Sequence, residues 1–345
     1  MMQEKIEKLY LQVMQHIRED IAARRPEYLD SERTLQDKLN MSRTTIRRAC
    51  RELEREKLIT PIHGKGYMVN YPGDIAGKIR GRFGLIAHPV IGEYETRVQN
   101  ALIGYLYRSG LRPLMVVCDP CFEPPHEKIA VMLSECDGVF IGSGLGKIQK
   151  TGYLEQNLHR LVGIPYRLPG LDCSYIMPDL EEGFYEMTSH LIRMGHRRIA
   201  LLASSSERRD GYCRAFRRHR RKVAPELMVP CGGYRHEGYR VMGELLASGR
   251  EFTAVICQND PCALGVIERC FKEGIRVPDQ LSVAGADNVL SSELYPVPLT
   301  TVGIDIDKIC REALELLMRC IRGGAPAGNR FLSPNLVFRE SIKEL

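Results

Sequence analysis

The chain has 345 residues, of which 27% are charged and 44% hydrophobic, and a formal net charge of +6 at pH 7. This composition suits a globular protein long enough for two or three domains, and its mild basicity permits nucleic acid as a partner without requiring it. No window approaches about eighteen consecutive apolar residues, and the first residues, Met-Met-Gln-Glu-Lys-Ile-Glu-Lys, lack a signal-peptide core, so the expectation is a cytoplasmic protein with no membrane partner. The twelve cysteines are scattered singly through apolar segments, as reduced core cysteines are. Cys118 and Cys121 form one C-x-x-C, interrupted by Asp119-Pro120, with no second close pair to complete a metal tetrahedron; they read as structural.

Taken in order, Ile6, Leu9, Val13, Ile17 and Ile21 hold a helical stripe over residues 4–23 until Arg24-Arg25-Pro26 stops it. Residues 29–39 give a capped short helix with Leu35 and Leu39 on one side, and Asn40-Met41 turns into a third helix over 42–55. In that helix Ile46, Ala49, Cys50 and Leu53 fall at i, i+3, i+4 and i+7, a narrow apolar stripe that must pack against something. The opposite face carries Arg43, Arg47 and Arg51. Ser42 is a good N-cap, leaving Arg43, Thr44 and Thr45 in a first turn whose guanidinium, hydroxyls and amides suit phosphates and base edges. On this helix alone a solvated basic face fits equally well.

The neighbours decide. Leu58–Ile62 and Tyr67–Val69 read as two short strands around the turn His63-Gly64-Lys65-Gly66. Three helices and a two-stranded ribbon within about seventy residues make a winged helix-turn-helix. The apolar stripe then docks on the first two helices and frees the arginine face for duplex DNA. Counted to residue 72, the module holds 14 Lys+Arg against 11 Asp+Glu, a net of only +3, so binding rests on where the arginines sit rather than on bulk charge.

Ser31-Glu32-Arg33, Ser42 through Ala49, Leu53, Leu58-Ile59 and His63-Gly64-Lys65-Gly66-Tyr67 together resemble the GntR-type winged helix of bacterial transcription regulators, over residues 5–70. The resemblance implies that Arg33, Arg43, Thr44, Thr45 and Arg47 touch the operator beside the Ser42 cap. It also implies that the wing tip at His63 and Gly64, with Lys65, reaches the adjacent groove. Asp30 stands where the family usually has proline, and Thr34 where a capping-box glutamate is common, two departures that weaken the start of the second helix.

Residues 72–82 hold three glycines, a proline and four charges without periodicity and read as a linker. From Phe83 the pattern changes. Phe83–Ala87, Leu114–Val117, Val139–Ile141, Ile199–Ala203, Ala254–Cys257 and Leu281–Ala284 read as buried parallel strands, with amphipathic segments at 97–108, 180–194, 236–248 and 260–273 between them. This alternation predicts a doubly wound α/β architecture, and its length predicts two lobes with ligands beyond the carboxyl ends of the strands, in a cleft.

Asp179 with Gly183, His190 through Ala200, Arg208 with Gly211-Tyr212, Asn259-Asp260, Gly274 through Pro278, Ser282 through Asn288, Pro298 through Val302 and Arg339-Glu340-Ser341 resemble the effector domain of the LacI/GalR family. What this implies is an α/β, two-lobed, doubly wound periplasmic-binding-protein-like sensor behind an N-terminal winged helix, a pairing like that of arabinose-repressor-type regulators. The sensor takes residues 83–345, with lobe 1 at 83–197 and 299–325 and lobe 2 at 198–298 and 326–345. Matched onto the family, Arg208, Asn259 and Asp287 fall where effector hydroxyls are bound, a fork, an amide and a carboxylate able to grip vicinal hydroxyls. Without the resemblance, Asp287-Asn288 reads as a cap or turn and Arg208 as a surface ion pair. His88 and Tyr94 follow the first strand and offer the other wall, or serve loop packing.

Other features have plain readings. Gly142 through Gly146 lacks phosphate-loop spacing and reads as a flexible turn, and the basic run Arg214 through Lys222 as the solvated end of a helix. His190 and His196 flank a helix terminus with no third ligand nearby. No catalytic set, metal site or cofactor motif stands out. The expectation is a homodimeric, non-enzymatic repressor that binds double-stranded operator DNA with an affinity controlled by a small carbohydrate effector. The alternatives from other classes are a solute-binding transport protein and an enzyme, for instance of pyridoxal-phosphate type, fused to a winged helix.

Overall fold

Three helices open the computed structural model, α1 (Met2–Arg24), α2 (Glu32–Leu39) and α3 (Arg43–Arg55), followed by the antiparallel ribbon β1 (Ile59–Ile62) and β2 (Gly66–Val69). Described are residues 2–24, 29–56, 58–62, 66–69, 81–89 and 92–345; the wing tip 63–65 and most of the expected linker lie outside them. The Ser31 hydroxyl accepts the Thr34 N–H at 3.1 Å and meets the Thr34 hydroxyl at 2.8 Å. Threonine in place of glutamate thus still closes the front of α2. Lys38 donates to Asp30 at 2.8 Å across the same helix. Ile46, Ala49, Cys50 and Leu53 are all fully buried against Val13, Ile17, Ile21, Leu35 and Leu58, so the stripe docks on α1 and α2 as its spacing requires.

The chain then forms β3 (Arg82–Ala87), α4 (Glu93–Arg108), β4 (Arg112–Val117), α5 (Pro125–Glu135), β5 (Gly138–Ile141), α6 (Gly152–Gln156), β6 (Leu161–Gly163) and β7 (Ser174–Pro178). Next come α7 (Leu180–Arg193), β8 (Ile199–Leu202), α8 (Ser206–Arg218), β9 (Met228–Val229), α9 (Arg235–Ala247), β10 (Ala254–Cys257), α10 (Asp260–Lys272), β11 (Ser282–Ala286), α11 (Leu290–Glu293) and β12 (Thr300–Gly303). Last are α12 (Ile306–Gly323), β13 (Arg330–Leu332) and β14 (Asn335–Val337). The two sheets run β4-β3-β5-β6-β7-β13 and β9-β8-β10-β11-β12-β14. In each, the second strand lies outside the first and the third lies inside it, so the order reverses between β3 and β5 and between β8 and β10. These are the switch points where loops from opposite faces separate and open a crevice.

By internal contacts the chain divides into Met1–Ile176 with Asp307–Arg330, and Met177–Ile306 with Phe331–Leu345. The boundaries read from the sequence are corrected at each crossing. Helix α7, expected in lobe 1, buries Phe184, Met187 and Leu191 in one core with Ile199, Leu201, Tyr212 and Phe216 of the second unit. Strand β12, also expected in lobe 1, pairs with β11 through Ala284↔Thr300 and Gly285↔Thr301. Residues 326–330, expected in lobe 2, belong to the first unit, which also takes in the winged helix: the turn at Gly110 lies against Ile21 and Leu58.

The second unit is closed by its last segment. The buried Ser341 hydroxyl donates to Val283 O at 2.5 Å and accepts the Thr300 N–H at 2.8 Å, and Val283 N–H donates to Ser341 O at 2.8 Å. Buried His196 joins Thr253 Oγ1 at 2.8 Å and Lys343 O at 3.1 Å. Burial lowers its pKa, which keeps the ring neutral in this role.

Helices α9 and α10 approach so closely at Gly265 that an added Cβ would stand 1.9 Å from Arg235 O. Gly265→Ala should therefore force the pair apart and lower unfolding free energy by about 1–3 kcal/mol in urea titration. Gly152→Ala, where nothing lies within 4 Å, should leave stability unchanged or raise it.

Candidate functional site

At the N-terminal end of α3, the Ser42 hydroxyl accepts the Thr45 N–H at 3.2 Å and contacts the hydroxyls of Thr44 and Thr45 at 2.8 Å each. Thr44 and Ser42 are exposed, as are Arg33, Arg43 and Arg47. Thr45 departs from the expected open hydroxyl. Its side chain is 9% exposed and engaged with the cap, which suits it to holding the turn rather than reaching a base. One residue that sequence reasoning left without a role stands out. Glu32, in the first turn of α2, takes Arg47 Nε at 2.9 Å and Arg43 Nε at 3.6 Å. Both contacts use Nε, so the Nη edge of each fork is not spent on Glu32. Arg48, by contrast, lies over the Tyr10 ring at 4.2 Å and serves packing. His63, Gly64 and Lys65 lie outside the described residues, bracketed by the Ile62↔Gly66 pair that ends the ribbon.

In the second unit, Arg208, Asn259 and Asp287 follow the carboxyl ends of the neighbouring strands β8, β10 and β11. Arg208, in the first turn of α8, donates from Nε to Gln258 O at 2.8 Å and from Nη1 to Ser205 Oγ at 3.0 Å, which sets it beside Asn259. Asn259 caps α10, its Oδ1 accepting the Cys262 N–H at 3.1 Å, so the amide oxygen serves the helix. Asp287 and Asn288 hold φ of 109° and 52°. Two consecutive non-glycine residues in left-handed backbone persist only where the surroundings over-determine them. Here Asp287 N–H donates to Val302 O at 2.9 Å, Asn288 N–H to Thr301 Oγ1 at 3.4 Å, and Asn288 Oδ1 accepts Arg339 Nη2 at 2.7 Å.

Beneath this loop lies a carboxylate whose part the sequence did not reveal. Asp260 is fully buried, with Oδ1 accepting from Thr301 Oγ1 at 2.5 Å and Oδ2 accepting from Val289 N–H at 2.9 Å and Ser292 Oγ at 2.8 Å. It ties the β10, β11 and β12 ends together. Burial pushes its pKa from the ordinary 3.8 to about 6, against the opposing pull of these three donors. The only sequence signal was a polar Asn-Asp pair at the front of an apolar helix.

In the first unit, His88 follows β3 and is half-buried, and the Gly144 backbone stands so close that a Cβ there would lie 2.7 Å from His88 Cβ. The expected flexible turn is therefore the packing partner of His88. Tyr94, in the first turn of α4, is 5% exposed. Cys118 is buried, its thiol pushed up by burial, while Cys121 is exposed. Among the described residues no three His, Cys, Asp or Glu side chains converge on a metal-sized site, and no helix is long and apolar enough to cross a membrane.

A winged helix with an exposed arginine turn, followed by two largely parallel sheets whose strand ends carry polar side chains, defines a DNA-binding regulator with a ligand-sensing domain. Known proteins give the particular pairing: residues 9–69 match bacterial regulatory proteins of the gntR family, and residues 188–342 match the periplasmic binding protein-like domain. The arabinose metabolism transcriptional repressor of Geobacillus stearothermophilus is 28% identical over the full length of both chains. The HTH-type transcriptional repressor PurR of Mannheimia succiniciproducens is 33% identical over 50% of this chain and 54% of its own. A transcriptional regulator of the LacI family from Sanguibacter keddieii superposes with a TM-score of 0.63 at 25% identity, over 76% of this chain and 98% of that one. The chain is a transcriptional regulator that joins a GntR-type reader to a periplasmic-binding-protein-like domain.

Arg43→Ala should lower affinity for an operator selected from random duplexes by about tenfold or more and relax preference at one base position, read by fluorescence anisotropy. Asp260 binds its proton more tightly folded than unfolded, so its contribution to stability is full below about pH 4 and is lost as pH rises through about 6. Denaturant midpoints measured across that window should fall less steeply with pH in Asp260→Asn than in the parent.

Proposed function

We propose that the chain is a repressor whose hold on a palindromic operator is set by a small carbohydrate effector bound at Arg208, Asn259 and Asp287. The observation that carries the effector reading is the strained Asp287, a carboxylate kept in left-handed backbone at the carboxyl end of β11, one strand from the switch point between β8 and β10. A helix cap or tight turn would be satisfied by glycine without strain. The similar repressor named for arabinose metabolism supports the sugar class. Arg33, Arg43, Thr44 and Arg47 are the proposed operator contacts, Ser42 and Thr45 hold their turn, and the wing at His63, Gly64 and Lys65 is the proposed second contact. His88 and Tyr94 stand at the matching strand end of the first unit and are its candidate polar groups. No enzymatic step is needed, since effector shifts operator affinity through its different affinities for two states of the protein.

The proposed partner in operator binding is a second copy of this chain, because two-fold operators are read by paired heads. Strand β4 is the edge of its sheet and leaves Met115 and Val117 at 42% and 49% exposure. An apolar edge of this kind calls for a cover.

Isothermal titration of the full chain should show saturable binding of arabinose or a related monosaccharide, lost in Arg208→Ala; binding of a nucleobase in place of every sugar tried would overturn the class. Met115→Asp with Val117→Lys should convert a dimer to a monomer in sedimentation analysis and weaken operator binding while leaving sugar binding intact.

A further inference from the structure

The first unit contains a cavity of about 1220 Å³ that serves neither the reading turn nor the effector positions. The reader supplies one wall, with Arg18 of α1, Arg55 at the end of α3, and Leu58. The first lobe supplies the other, with Arg108 at the end of α4 and one face of α12, where Arg311, Arg319 and Arg322 recur at helical spacing. These six arginines meet three carboxylates, those of Glu56, Asp307 and Glu315. Arg18 is paired with Glu56, Arg55 with Glu52 at 2.7 Å, and Glu315 is drawn toward Arg330 at 3.8 Å. Arg108, Arg311, Arg319 and Arg322 have no ion-pair partner among the described residues. Among the described residues Arg18 Nε is buried there without a hydrogen-bond partner. Leu58, Leu314 and Met318 add an apolar surface to the same walls.

Several unpaired guanidinium forks beside an apolar patch suit a molecule with more than one phosphate and a ring or chain to lie on the patch. The operator itself is the poorer fit. Arg55 is twelve residues along α3 from Arg43, about 18 Å from the reading turn at 1.5 Å per residue, so a duplex on that turn does not fill the cavity. We propose that this cavity binds a small organic polyphosphate that bridges the reader to α12, a second input to operator affinity apart from the effector site. The operator part rests on the regulator reading above; the binding part does not, and is measured without DNA.

Isothermal titration of the full chain uses two probes, ADP and inorganic pyrophosphate. The expected result is one ADP per chain, bound more tightly than pyrophosphate. Binding should weaken by about tenfold for each arginine removed in Arg319→Ser and Arg319→Ser with Arg322→Ser, and persist in Arg208→Ala. An unchanged thermal midpoint shows that the exposed substitutions leave the fold intact, and Arg311→Ser provides a second test on the same helix face. Absence of saturable ADP binding at millimolar concentration, equal binding by parent and arginine variants, loss in Arg208→Ala, or pyrophosphate binding as tightly as ADP would each overturn the proposal. So would a fall in operator affinity of the arginine variants with no phosphate ligand present, which would assign these side chains to the duplex.

Discussion

The complete burial of Ile46, Ala49, Cys50 and Leu53 on one side of α3 is the constraint from which the reader follows. A helix has one rotational freedom about its axis, and this apolar stripe removes it. Arg43 and Arg47 are then exposed, and Glu32 of the neighbouring helix steadies both through Nε. An arginine with four free side-chain torsions loses much of that freedom on contacting DNA; one already leaning on a carboxylate loses less. At the proposed operator contacts Glu32 would also set a negative charge near phosphate, trading some attraction for order. Specific recognition benefits from that exchange more than bulk affinity does.

The second lobe is organised by a different device. Asp260 receives three hydrogen bonds from residues reaching it from the β11–α11 turn, α11 and β12, and so turns three separate strand ends into one rigid rim. A buried carboxylate is costly unless its oxygens are satisfied, and here the donors themselves become fixed by satisfying it. Asp287 and Asn288 sit directly above, in a backbone conformation that the rim and Arg339 enforce. The strain and the anchor belong together: without the anchor the loop would relax toward ordinary torsions and the carboxylate of Asp287 would swing away from its strand end.

Much of this was legible in the residues because periodicity is a local signal. The α3 stripe, the six strands with strong apolar runs and the helices over 93–108, 180–193, 235–247 and 260–272 all follow from spacing alone. Strand β6, three residues long, and β9, two residues long, carry too little pattern to be seen. The lobe boundaries failed for a related reason. Whether α7 packs on one sheet or the other depends on which core its Phe184 and Met187 complete, and nothing within the helix encodes that choice. At the sites, the arginine tip and the polar strand ends could be read from composition at helix fronts and strand ends. Glu32 and Asp260 could not, because each matters through residues distant in sequence: Arg47 lies fifteen residues from Glu32, and Thr301 lies forty-one from Asp260.

Ser341 and its neighbours draw one more conclusion from the fold. The reader is assembled from a continuous stretch near the start of the chain, whereas the β11 and β12 edge acquires its final hydrogen bonds only from residues 339–343. During synthesis the reader can therefore fold long before the sensing lobe is complete. A ribosome that stalls late would release a polypeptide with a finished DNA head and an unfinished, apolar-exposed body, a natural target for proteolysis. Because the clasp follows every strand it fastens, survival of the head is coupled to completion of the lobe.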